Sequence, residues 1–86
     1  MKGYTPIDCN LYDRLVLLSS HKSPIVMIPN KYNIAQGDYI TDLVTIATKE
    51  EFMIMKSGLR IRLDEIASAE GAIVFLHTDE RYFQEE

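Results

Sequence analysis

The stretch FMIMKSGLRIRLD, residues 52–64, divides at Ser57-Gly58 into two runs of different period. After the link, Leu59, Ile61 and Leu63 alternate with Arg60, Arg62 and Asp64, the two-residue period of a strand with one buried face. Before it, Phe52 to Met55 is apolar at every position, as suits a strand covered on both faces. A glycine in so short a link predicts a β-hairpin whose first arm is central in its sheet or covered on both sides.

Working outward, Ile25–Ile28 predicts a buried strand, ended by Pro29 and the turn-prone run Asn30–Asn33. A second extended region spans about 34–48, bent or turned near Gly37 and Asp38. Ala72–His77 supplies a last strand. The N-terminal part is helical, from Cys9 to about His21. At 100° per residue, Cys9, Leu11, Tyr12, Leu15, Val16 and Leu18 form one apolar arc, and Asn10, Asp13, Arg14, Leu17, Ser20 and His21 the opposite one. Two caps compete: Asp8 itself, or Thr5 with Pro6 in the first turn and Asp8 closing a capping box. Either places the Asp8 carboxylate where the helix dipole favours it. One helix followed by about five strands predicts a mainly β, α+β domain, with a strongly bent Sm-like sheet or small barrel capped by the helix.

The chain has 86 residues, which allows one domain and little room for a deep substrate cavity. We place that domain at residues 1–78 and an acidic tail at 79–86. With 47% hydrophobic and 26% charged residues, it has the composition of a globular protein. Its apolar runs fall far short of the ~20 residues a membrane span needs, and no secretory leader pattern opens the chain, so a cytoplasmic protein is expected. The net charge is −4, of which Asp79, Glu80, Glu85 and Glu86 against Arg81 contribute −3. Nucleic-acid affinity comes largely from phosphate neutralisation by Lys and Arg, so this balance suits a basic protein surface better than DNA or RNA.

Cys9 is the only cysteine, which excludes an intramolecular disulfide and a Cys-rich zinc site. A thiol at a helix start can be activated, but packing as a small hydrophobe is the expectation for Cys9. His21 follows the helix and His77 ends a strand, with no second ligand at a matching spacing. Asp64 and Glu65, as neighbours on a strand, point to opposite faces and share no acid/base site. Glycines 3, 37, 58 and 71 form no phosphate loop. No enzyme, cofactor or metal is expected. Lys56, Arg60 and Arg62 could form a basic stripe for RNA phosphates. Asp64 shares that face, however, and Glu50 and Glu51 precede the partner strand, so ion pairing is the favoured reading.

Residues 4–15, YTPIDCNLYDRL, closely resemble the N-terminal signature of the Rho-binding antiterminator family, a Tyr-x-Pro-Ile-x-Cys-x-x-Tyr-Asp-x-Leu pattern. DLVT (42–45) and RLDEI (62–66) resemble two further family segments, in the same order and at similar spacing. The resemblance implies an Sm-like bent sheet with an N-terminal helix. It also implies binding to the transcription termination factor Rho, obstruction of Rho's primary RNA-binding surface, and antitermination. The partner-binding candidates it implies are Asp13 first, then Asn10, Asp8 and Tyr12, with Arg14 and Leu17 on the same exposed helix face. Arg14 beside Asp13 leaves this face less acidic than the family's can be. A monomer is expected rather than a ring.

Overall fold

The structure, a computed structural model, describes Tyr4 and residues 6–77. Thr5, the alternative helix cap, and the acidic tail at 79–86 lie outside the described residues. Asp8 is the cap: its backbone is non-helical (φ −59°, ψ 144°), and its carboxylate accepts the Asn10 N–H at 2.9 Å. Helix α1 then runs Cys9–Ser20. It ends where Lys22 adopts φ +53° and the Ser23 N–H reaches back to the Leu18 carbonyl at 3.1 Å, closing carbonyls the helix leaves open.

Six strands follow, in two sheets of three with no closed barrel among the described residues. They are β1 (Val26–Ile28), β2 (Ile40–Thr45), β3 (Glu51–Met55), β4 (Arg60–Arg62), β5 (Ile66–Glu70) and β6 (Ile73–Leu76). One sheet has the order β1-β6-β5, the other β2-β3-β4. Only the β1/β6 pair is parallel. The fold is thus α+β, with one N-terminal helix and six strands.

The expected hairpin is present. Gly58 takes φ +98° between β3 and β4, and Met55 exchanges backbone hydrogen bonds with Leu59 and Gly58 at 2.8 Å. β3 is the central strand of its sheet, with Met53 and Met55 buried and Phe52 and Ile54 half-buried. The second arm is shorter than its alternation suggested. Leu63–Glu65 is a 3₁₀ turn that redirects the chain from β4 into β5, and so from one sheet into the other. Leu15 and Leu18 of α1 join Ile40, Met53, Ile61, Leu63, Ile66 and Val74 in one core.

Three expectations need correction, and one left open is decided. The described residues form six strands rather than about five, because Ile66–Glu70 is a strand despite its small, weakly β-forming residues. Ile25–Ile28 is not buried throughout: Ile25 and Met27 face the core, while Val26 and Ile28 are 55% and 45% exposed on an edge strand. The region at 34–48 contains a true turn, with Gly37 at φ +90° and the Asp38 N–H on the Ala35 carbonyl, and its strand starts only at Ile40. Cys9 and Val16 are exposed, because the helix rests on the narrower stripe of Leu11, Tyr12, Leu15 and Leu18.

Candidate partner-binding site

The first and third of the segments that carry the resemblance meet in space. Tyr4 donates its hydroxyl hydrogen to Glu51 Oε1 at 2.8 Å. The Arg62 guanidinium lies over the Tyr4 ring, 5.6 Å from its centroid. Arg62 also donates to both Asp64 oxygens, at 2.9 and 2.8 Å, and to Glu50 Oε2 at 2.8 Å. The paired hydrogen bonds to Asp64 favour the charged guanidinium most strongly. Burial, followed by the bond to Glu51, pushes the Tyr4 phenol above the usual tyrosine range. The entry to α1 is therefore pinned to the sheet that carries the hairpin.

Immediately beyond this pin, α1 and β5 flank an open groove of about 560 Å³. Pro6, Ile7, Asp8, Asn10, Leu11 and Arg14 form one wall. The other is built from Asp64, Ile66 to Ala69, and His77. Residues 6–14 belong to the first signature segment, and Asp64 and Ile66 to RLDEI.

The six partner-binding candidates divide into three sets. Asp8, Asn10 and Arg14 line the groove and are exposed. Asp13 and Leu17 are exposed, outside the groove lining, and Leu17 retains 51% of its surface. Tyr12 is half-buried against the core, so its ring helps to seat the helix. The candidates thus present two surfaces, a groove wall and an outer helix face.

The basic residues considered for RNA are differently engaged. Arg62 is held by two carboxylates and a ring. Arg60 lies over Phe52, 5.1 Å from the ring centroid, and Lys56 is exposed at the hairpin turn. Ion pairing accounts for Arg62, while Arg60 and Lys56 form no salt bridge among the described residues. Asp64 and Glu65 diverge as expected, although a 3₁₀ turn rather than a strand separates them. Asp64 serves Arg62, whereas Glu65 accepts from the Tyr32 hydroxyl and pairs with Lys31 at 3.5 Å.

Sequence reasoning missed the β5 wall. Ala67, Ser68 and Ala69 give no periodic signal, and a surface of this kind shows itself only once the helix is docked beside it. Among the described residues, no group of three or more His, Cys, Asp or Glu side chains is arranged to hold a metal ion. No helix among them is long and apolar enough to cross a membrane. Comparison of the chain with protein-family models, with curated proteins and with solved structures finds no match.

Proposed function

We propose that this chain is a noncatalytic inhibitor of Rho-dependent transcription termination. It binds Rho through the exposed side of α1 and the adjoining groove wall, and so obstructs or perturbs Rho's primary RNA-binding site. The reading rests on the resemblance of residues 4–15, 42–45 and 62–66 to the Rho-binding antiterminators. The single structural observation that supports it is the packing of Tyr4 from the first segment on Arg62 from the third. This contact makes one surface unit of two segments far apart in sequence.

The bend at Leu63–Glu65, which carries the chain between two short sheets, agrees with an Sm-like sheet, and we include that fold in the proposal. A monomer acting on Rho in the cytoplasm completes it. In this reading the exposed Asp13 and Asn10 meet basic groups that otherwise contact RNA, joined by Asp8, Arg14 and Leu17, which are also exposed. Exposed charge pairs are screened over ~8 Å at physiological ionic strength, so the complex weakens as salt rises.

The test is titration of purified Rho with the wild-type chain and with Asp13→Lys. The reversal lowers affinity while the circular dichroism spectrum is unchanged. Equal affinity for both proteins would rule out this face. Labelled RNA titrated in parallel addresses Lys56, Arg60 and Arg62: tight RNA binding without Rho would favour an Sm-like RNA-binding module instead.

A further inference from the structure

The geometry points to a second binding mode: the open edge of β5 takes up an extended peptide as an added strand, and Arg14 across the groove receives one of its carboxylates. This inference does not depend on Rho being the partner.

β5 is the terminal strand of its sheet, hydrogen-bonded on one side to β6. Glu70 and Ile73 flank the turn at Gly71-Ala72, where Gly71 has φ +58°. In such a two-residue hairpin the flanking pair exchanges its hydrogen bonds, so the next pair, Ala69 and Val74, turns its backbone groups away from the shared ladder. The parallel neighbour agrees in phase, because the Val26 N–H bonds the Ala72 carbonyl at 3.0 Å and leaves Val74 facing β1. Ala69 therefore directs its N–H and C=O out of the sheet at the strand edge, beside the groove it lines.

An added strand needs unpaired backbone, space beside it and a means of choosing its occupant. Space is given by the 560 Å³ groove, and Ala67, Ser68 and Ala69 are small enough for another backbone to approach. Ile7, Leu11 and Ile66 give it apolar lining. Charge selects the occupant. Of the two acids on the walls, Asp64 has both of its oxygens engaged by Arg62, and the Asp8 carboxylate caps the helix. Arg14 is exposed and forms no ion pair among the described residues. The other sheet edges lie outside this groove: β1 and β4 are shorter strands, β1 runs directly into Pro29, and β2, although longer, contributes no residue to the groove lining.

The probe is an acetylated, amidated heptapeptide of alternating valine and threonine with one central glutamate, added to the full chain and followed by NMR. Saturable shifts at the amides of Ala67, Ser68 and Ala69 are expected. The Ala69 amide exchanges freely in the unbound chain. It slows about tenfold when the peptide is present at ten times its dissociation constant. Arg14→Glu lowers affinity about fivefold, as loss of an exposed charge pair requires, and a peptide with lysine in place of glutamate then prefers that variant. Shifts centred on β1, or failure of the charge swap, would overturn the proposal. Protection of Ala69 that grows with protein concentration alone would also overturn it, by making a second copy of the chain the occupant.

Discussion

Leu15 and Leu17 are two residues apart on α1 and should respond to truncation very differently. Leu15 is fully buried among the core side chains, whereas Leu17 retains 51% of its surface. Leu15→Ala removes three carbon groups from the core. At ~0.8 kcal/mol each the transfer loss is about 2.4 kcal/mol, and the cavity left where helix and sheet cannot collapse raises the cost to about 3 kcal/mol. For a domain of this size that corresponds to a fall in melting temperature of roughly 12–24 °C. Leu17→Ala removes the same atoms from a half-solvated position and should cost no more than about 0.5 kcal/mol. Total stability for 86 residues is about 4–13 kcal/mol, so Leu15→Ala can still fold in the cold. Urea unfolding followed at 222 nm gives both differences. Equal losses in the two variants would refute the orientation of α1, and with it the assignment of Asn10, Asp13, Arg14 and Leu17 to an exposed surface.

Three further outcomes follow from the local structure. Asp8→Ala should lower stability by about 1 kcal/mol, with Asp8→Asn near wild type, because either Asp or Asn accepts the Asn10 N–H; denaturant midpoints would show it. Cys9 should react with a water-soluble thiol reagent in the folded state at a rate close to that in urea, since its side chain is exposed. The Tyr4 phenol, with its pKa raised in the folded state, contributes stability that is complete below about pH 10. Above that pH the unfolded chain releases the proton first and stability falls. Tyr4→Phe, compared by melting temperature from pH 8 to 11, should therefore lose less on the alkaline side than wild type.

Periodicity revealed the elements whose burial is one-sided and locally encoded. Leu59, Ile61 and Leu63 alternate strictly, Gly58 has the positive φ its link requires, and Asp8 caps the helix that follows it. What was illegible depends on partners remote in sequence. Val26 and Ile28 have the composition of a covered strand, yet β1 is an edge whose outer face no element covers among the described residues. β5 has two alanines and a serine in five residues, and is a strand because β6 returns to pair with it across Gly71. Cys9 and Val16 fall on the apolar arc, but the sheet contacts a narrower stripe than the arc spans.

The candidate site was legible to a similar degree. Asp8, Asn10 and Arg14 came from the signature segment, and all three line the groove. Its opposite wall required the fold. The engagement of Arg62 followed from its spacing to Asp64 and to Glu50 just before β3, but the Tyr4 ring beneath it comes from a segment remote in sequence and no local pattern could reveal it.

The measurement that bears most directly on the functional proposal is in vitro transcription through a Rho-dependent terminator, with purified polymerase and Rho and increasing amounts of this protein. Full-length transcript should rise with protein concentration while termination at an intrinsic terminator on the same template stays constant, and Asp13→Lys should shift the response to higher concentration. Unchanged Rho-dependent termination at saturating protein would contradict the proposal.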